Sequence, residues 1–83
     1  MSYFVYLIGN YKKSRLITYV GYTNNLKKRL NLHNTGRGAK FTKGRTWKLL
    51  YYEKILTKKE AILREIHIKK NRKLRNLIKD KYK

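Results

Sequence analysis

The 83-residue sequence contains no cysteine and no proline, and only four of its residues are acidic. Without cysteine the chain can form neither disulfides nor thiolate metal sites, which suits a reducing cytoplasm. No apolar run approaches the roughly 18 residues that a transmembrane helix needs. The first ten residues, "MSYFVYLIGN", lack the positive region and long apolar core of a signal peptide. We therefore expect a soluble, cytoplasmic protein.

The scarcity of acids contrasts with 23 lysines and arginines, which give a formal net charge of +19. So much like charge in one small domain opposes compaction unless a polyanion binds to it. Nucleic acid is therefore the favoured partner. Two alternatives stay open: an anionic membrane surface, which basic amphipathic helices also bind, and a cationic face that is merely solvated.

The order of apolar patterns and turn signals predicts an α+β fold, β-β-α-β-α-α, in which a small antiparallel sheet packs with helices. Strands are predicted over residues 3–8, 15–21 and 47–56. "GNYKKS" at residues 9–14 has the composition of the turn between the first two strands. The third strand is apolar enough on both sides to be central or covered on both faces.

The first helix should begin near Leu26, because "TNN" just before it offers capping side chains. Leu26 and Leu30 are four residues apart and would share its buried stripe. Gly36 is well placed to end this helix, and a glycine-rich basic loop follows over residues 36–46.

The remainder of the chain predicts two more helices. "TKKE" at residues 57–60 matches a capping box, so a helix should occupy residues 58–70. Leu74, Leu77 and Ile78 have the spacing of a last, short amphipathic helix.

Glu65 would lie on the apolar stripe of the helix at 58–70, in line with Ala61 and Ile68. Burying a lone carboxylate is costly, so Glu65 needs a partner. One interpretation is an ion pair with a nearby cation. The other is a ligand for a hard metal such as Mg²⁺, which often uses one or two carboxylates and completes its shell with water and substrate phosphate.

Most of the eight tyrosines are expected to be packing residues. Tyr6 and Tyr19 differ, because neighbouring strands would bring them together near the Arg29 side of the first helix. A phenol ionises near pH ~10, and dense positive charge is expected to lower that pKa. Such a tyrosine could activate water for attack on phosphorus.

Arg29 and His33 are four residues apart and therefore project from one side of the first helix. The planar guanidinium of Arg29 suits a phosphate or the charge that develops on it, although a solvated arginine is the plainer interpretation. His33 could orient water or contact a phosphate, and here a structural histidine is the plainer interpretation. His33 and His67 lack the spacing of a zinc site.

Four short segments stand in order along the chain: "FVY" at 4–6, "YVG" at 19–21, "YTNNLKKRLNLHN" directly after it, and "EAILREIHIKK" at 60–70. Together they resemble the GIY-YIG nuclease superfamily. The first two stand where the two triplets of the family would be, and the last resembles the helix that bears the metal-binding glutamate of the family. The resemblance covers residues 3–78. The compact form, with "HNTGRGAKFT" at residues 33–42, is most similar to the small stand-alone bacterial and viral members, related to the UvrC N-terminal nuclease domain and the Slx-type nucleases.

This resemblance implies one domain over residues 1–83, with a three-stranded antiparallel sheet flanked by helices. It also implies one divalent metal, Mg²⁺ or Mn²⁺, and hydrolysis of DNA phosphodiester bonds. The roles that it implies are activation of water by Tyr6, support from Tyr19, charge stabilisation by Arg29, assistance by His33 and metal binding by Glu65.

The leading hypothesis is therefore a DNA endonuclease of low sequence specificity that acts on single-stranded, nicked or branched DNA, in repair, recombination or a mobile element. A protein partner could supply its targeting. The residues expected to contact DNA are Tyr22, Lys28, Arg37, Lys40 and Lys43. A catalytically inactive nucleic-acid-binding domain on the same scaffold is the main alternative, and a membrane-active basic peptide is the poorer third.

Overall fold

The computed structural model describes residues 2–12 and 14–81; Lys13, part of the turn predicted at 9–14, lies outside them. The elements are β1 (Tyr3–Lys12), β2 (Arg15–Thr23), α1 (Leu26–Asn34), β3 (Lys48–Ile55), α2 (Lys58–Lys70) and α3 (Arg72–Asp80). The strands form one antiparallel sheet in the order β2-β1-β3. The predicted α+β class and element order are thereby confirmed. Among the described residues, no helix has both the length and the apolar character to cross a membrane.

The first hairpin is longer than the sequence predicts, because Gly9 is a strand residue and not part of the turn. β1 continues as far as Lys12, which pairs with Arg15 across the hairpin. A Cβ atom at Gly9 would lie 2.6 Å from Cδ1 of Leu50 and 2.9 Å from Cδ1 of Leu16. The glycine therefore allows two leucine side chains to pack against the backbone of the central strand.

β3 is an edge strand in which Lys48, Leu49, Tyr52 and Lys54 are exposed, so the prediction that the third strand is central or covered on both faces is wrong. Its apolar run has another cause. Leu7 pairs with Tyr51 and Ile8 with Leu49, which leaves Leu50 as an extra residue on β3. This bulge turns Leu50 and Tyr51, although consecutive, toward the same core cluster. The strand that is buried on both faces is β1, at residues 5–9.

Each face of the sheet has its own core cluster. The cluster beneath α2 and α3 contains Val5, Leu7, Leu16, Val20, Leu50, Ala61, Ile68 and Ile78. The cluster on the opposite face, which we call the tyrosine face, contains Tyr6, Ile8 and Trp47, with Ile17, Tyr19, Leu26 and Leu30 packed against it. Along β2, Leu16 and Val20 therefore face one cluster, and Ile17 and Tyr19 face the other.

The helix ends follow the predicted caps. Asn25 precedes α1, and its side chain accepts a hydrogen bond from the Lys28 amide at 3.1 Å. After α1 the backbone turns at Gly36, whose φ of 80° is easy only for glycine. The Thr57 hydroxyl accepts from the Glu60 amide at 3.2 Å, so α2 begins where the capping box predicts.

An ion pair joins α2 to β3. Arg64 donates from Nε and Nη2 to the two carboxylate oxygens of Glu53 at 2.7 and 2.8 Å. The Tyr51 hydroxyl donates to the same carboxylate. The hydrogen bond from Arg64 holds the pKa of Glu53 below its ordinary value, although burial acts in the opposite direction.

We expect this ion pair to make folding stability depend on pH. Since the pKa of Glu53 is lower in the folded than in the unfolded chain, the stabilisation is complete above the unfolded value and disappears as pH falls through the folded value. Glu53→Gln should lower the free energy of unfolding at neutral pH by about 1–3 kcal/mol, because it weakens a charged hydrogen-bonded pair.

The measurement is urea unfolding at several values between about pH 3 and pH 7, where carboxylates titrate. Glu60→Gln is the matched control, because glutamine also serves in a capping box. An acid dependence of stability that is equally steep in Glu53→Gln and in the unsubstituted protein would contradict the assignment.

Candidate active site

Tyr6 lies on the central strand, and its phenol extends over Gly21 of the neighbouring strand, its partner in the sheet register. A Cβ atom at position 21 would lie 2.3 Å from the Tyr6 hydroxyl oxygen and 2.6 Å from Cζ. Any larger residue would therefore displace the phenol. The glycine of "YVG" makes room for the tyrosine of "FVY", which gives the pairing of the two triplets a steric reason.

A histidine occupies the far side of the same hydroxyl. The Tyr6 oxygen lies 2.7 Å from Nε2 of His33, on the last turn of α1. Nδ1 of that ring lies 2.9 Å from the Thr42 hydroxyl in the loop before β3. His33 and Thr42 are fully buried and Tyr6 is 2% exposed. The three polar groups therefore form a continuous hydrogen-bonded chain that is shielded from solvent.

Arg29 borders the start of this chain. Its Nε donates to the Tyr6 oxygen at 3.5 Å, and its Nη2 donates to the Gly38 carbonyl at 3.4 Å. Both bonds are at the long end of the hydrogen-bond range and are therefore weak. The guanidinium is held at the site by contacts that a phosphate could replace.

Tyr19 and Glu65 complete the group of predicted catalytic residues. The Tyr19 ring centre lies 5.2 Å from that of His33, in an edge-on arrangement. The Glu65 side chain is 15% exposed and accepts an ion pair from Lys69 at 3.1 Å. Lys69 in turn lies 5.9 Å from the centre of the Tyr19 ring. After burial, which is the main cause, the negative charges of Tyr19 and Glu65 also act to raise the pKa of Tyr6.

The expectation that positive charge lowers the pKa of Tyr6 is wrong. Burial raises the pKa of Tyr6, and the hydrogen bond and charge of Arg29 offset it only in part. Local burial outweighs the large net charge because distant, exposed cations are screened. Burial also lowers the pKa of His33, with the Arg29 charge acting in the same direction. At neutral pH Tyr6 therefore keeps its proton, and His33 is uncharged.

The residues predicted to contact DNA are divided between the two faces of the sheet. Arg37, Lys40 and Lys43 are exposed in the loop that supplies Gly38 and Thr42 to the site, and Lys28 is exposed on α1. Tyr22 instead packs against the cluster beneath α2 and α3, away from Tyr19. Thr42 could not be predicted from the sequence, because one threonine in a basic loop has no periodic signal.

Glu65 is the carboxylate available for a divalent metal. Among residues 2–12 and 14–81, no three histidine or acidic side chains gather where they could hold a metal ion. A single carboxylate, completed by water and substrate phosphate, is still a donor set that Mg²⁺ accepts. The site therefore fits a metal that receives most of its ligands from water and the substrate.

We expect Gly21→Ala to push the Tyr6 phenol away from His33, because the added methyl group overlaps the hydroxyl. Overpacking of this kind should cost about 1–3 kcal/mol of stability, measurable by thermal unfolding. The cost should shrink in the Tyr6→Ala background, which removes both the overlapping oxygen and the overlapping ring carbon. Additive effects of the two substitutions would contradict this explanation of the glycine.

The chain was compared with known proteins. The family described as the GIY-YIG catalytic domain matches residues 2–79. A UPF0213 protein of Oceanobacillus iheyensis is 52% identical over 52 residues, which cover 61% of this chain and 60% of that protein. A UPF0213 protein of Clostridium perfringens is 55% identical over 53 residues, which cover 63% and 57%. The UPF0213 protein YazA of Bacillus subtilis is 49% identical over 53 residues, which cover 63% and 54%.

The matched segment thus spans somewhat more than half the length of each of these relatives. No solved structure matches the chain significantly. The family match extends from the first strand to the last helix and includes both triplets, the arginine helix and the glutamate helix. The chain belongs to the GIY-YIG nuclease family.

Proposed function

We propose that this chain is a metal-dependent DNA endonuclease that hydrolyses phosphodiester bonds in single-stranded, nicked or branched DNA, with little sequence specificity. The family supports the coarser assignment to nucleases, a class of hydrolases. The observation that carries the proposal is one phenol hydroxyl held between an uncharged histidine and an arginine. This is an arrangement suited to moving a proton beside a phosphate.

The proton path starts from the hydrogen bonds of Tyr6. Arg29 Nε can only donate, so it occupies a lone pair of the Tyr6 oxygen and leaves the phenolic proton to His33 Nε2. As Tyr6 takes a proton from the attacking water, its own proton passes to His33. The raised pKa of Tyr6 makes this acceptor necessary, because a free phenolate is not present at neutral pH.

Arg29 has two tasks in this scheme. Its long bonds to Tyr6 and Gly38 are replaced by bonds to the scissile phosphate, where the guanidinium stabilises developing negative charge. Its departure also opens the Tyr6 hydroxyl, which is otherwise buried, to the attacking water. The movement of Arg29 onto the phosphate would therefore also expose the Tyr6 hydroxyl.

Glu65 would hold the divalent metal, Mg²⁺ or Mn²⁺. When bound, such an ion supplies Lewis-acid stabilisation of phosphate oxygens. Lys69, which pairs with Glu65, would exchange this carboxylate for a DNA phosphate. Tyr19, whose ring packs against His33, supports the position of the histidine.

The DNA-binding surface proposed here consists of the exposed cations Lys28, Arg37, Lys40 and Lys43, which would bind phosphates in a salt-dependent way. Phe41 is 50% exposed beside Tyr19 and offers an aromatic surface on which an unpaired base could stack. We also propose that the protein acts on cytoplasmic DNA in repair or recombination, and that a partner protein supplies its targeting.

The burial of the Tyr6 hydroxyl favours a second candidate, a catalytically inactive nucleic-acid-binding domain on the same scaffold. Such a domain would bind DNA through the same cations without ever exposing Tyr6. The two candidates differ in activity and not in affinity, so binding alone cannot distinguish them.

The deciding measurement is cleavage of labelled single-stranded, duplex and branched DNA with Mg²⁺, with Mn²⁺ and with EDTA. Tyr6→Phe should slow cleavage by about 10²–10⁴-fold, the usual contribution of a general base. Tyr52→Phe is its matched control, because Tyr52 pairs with Tyr6 across the sheet but is 53% exposed. Glu65→Ala should abolish metal-dependent cleavage.

Cleavage that survives EDTA or Glu65→Ala would overturn the one-metal mechanism. Salt-sensitive binding without cleavage in either metal would favour the inactive binding domain.

A further inference from the structure

We propose that Thr42 is a positioning residue that keeps a proton on Nδ1 of His33 and thereby leaves Nε2 free to accept the proton of Tyr6. The effect of Thr42 on DNA cleavage rests on the proposed nuclease function. The assignment of the His33 tautomer depends only on hydrogen-bond geometry.

Thr42 is an unusual member of its loop. Its neighbours Phe41 and Lys43 are exposed, as is Lys40, whereas Thr42 is completely buried. A threonine hydroxyl has one proton to donate and two lone pairs that can accept. It has three close partners: the Ala39 amide at 3.1 Å, the Ala39 carbonyl at 2.9 Å and His33 Nδ1 at 2.9 Å.

Two of these partners have fixed roles. The Ala39 amide can only donate, so it occupies one lone pair of the Thr42 oxygen. The Ala39 carbonyl can only accept; it accepts the hydroxyl proton and also the Thr42 amide at 3.1 Å. The second lone pair of the Thr42 oxygen then faces His33. A hydrogen on Nδ1 of His33 satisfies all three contacts at once, whereas an unprotonated Nδ1 would compete with the carbonyl for the one hydroxyl proton.

The hydrogen bonds at Tyr6, on the other side of the His33 ring, favour the same tautomer. Arg29 Nε donates to the Tyr6 oxygen, so the phenolic proton is directed to His33 Nε2. An unprotonated Nε2 accepts that proton. In the opposite tautomer, Tyr6 would accept two hydrogen bonds and Thr42 would have to withdraw its proton from Ala39. Both ends thus favour the tautomer with the proton on Nδ1.

The loop is attached to the helix that carries His33, which holds Thr42 in place. The Trp47 indole donates to the Thr42 carbonyl at 2.9 Å. The Trp47 backbone forms two bonds with the Asn34 side chain at the end of α1, at 2.6 and 3.1 Å. A Cβ atom at Gly38 would lie 2.2 Å from His33 Nδ1, so the loop backbone closes directly over the ring.

The test compares Thr42→Val, which keeps the shape but removes the hydroxyl, with Thr42→Ser, which keeps the hydroxyl. Thr46→Val is the matched control, because Thr46 is exposed in the same loop. The first readout is the ¹⁵N NMR signature of the His33 ring. We expect the Nδ1–H tautomer in the unsubstituted protein, in Thr42→Ser and in Thr46→Val, and the loss of its predominance in Thr42→Val.

The second readout is the kinetics of DNA cleavage. Thr42→Val should lower kcat by about 10–100-fold, by analogy with the removal of a hydrogen-bond partner that fixes the tautomer of a metal-bound histidine. KM should stay unchanged, and Thr42→Ser should restore kcat. Thermal unfolding of each variant separates this effect from a loss of fold.

An Nε2–H tautomer in the unsubstituted protein would overturn the inference without any variant, so it remains testable even if Thr42→Val fails to fold. Thr42→Ser as slow as a folded Thr42→Val would overturn it as well. If the tautomers change as expected but no variant cleaves DNA, the proposed function fails and the role of Thr42 in fixing the tautomer stands. If DNA is cleaved but Thr42→Val leaves the tautomer unchanged, the inference alone fails.

Discussion

The hydrogen bond from the Tyr6 hydroxyl to His33 Nε2 is the contact on which the arrangement of the tyrosine face depends. It joins the central strand to the first helix at a point where both side chains are buried. Two glycines make it sterically possible, since a Cβ atom at position 21 would overlap the phenol and a Cβ atom at position 38 would overlap the imidazole. Residues that are far apart in the sequence thus determine one contact. Because the site is closely packed, even a small substitution at either glycine would displace the side chains that form this hydrogen bond.

Burial of this contact decides the chemistry that is open to the site. The net charge of +19 suggests an easily ionised tyrosine, yet desolvation dominates and raises the pKa of Tyr6. The same burial keeps His33 uncharged and therefore able to accept a proton. A buried tyrosine next to a neutral histidine can pass its proton on at the moment of attack, without a phenolate in the resting protein. In the proposed mechanism, Tyr6 and His33 therefore share the role of general base.

Much of this fold could be predicted from the sequence, because its local signals agree with the tertiary structure. The capping box at Thr57 marked the start of α2, and the four-residue spacing placed Arg29 and His33 on one side of α1. The failures occurred where packing overrides a local signal. Gly9 has the composition of a turn but admits two leucines against a strand, and the bulge at Leu50 makes an edge strand resemble a central one. Thr42 escaped detection because its importance comes from hydrogen bonds across nine residues of sequence.

Electrostatics also connects the proposed metal to the proposed substrate. Glu65 is one of four acids among 23 basic residues, and it is already neutralised by Lys69. A divalent cation that approaches this carboxylate in the free protein meets a field of its own sign and must displace a lysine. DNA phosphates reverse that field, supply oxygen ligands and offer Lys69 another anion. A site with a single carboxylate is therefore consistent with a metal that binds together with the substrate, and the scarcity of acids helps to couple the two.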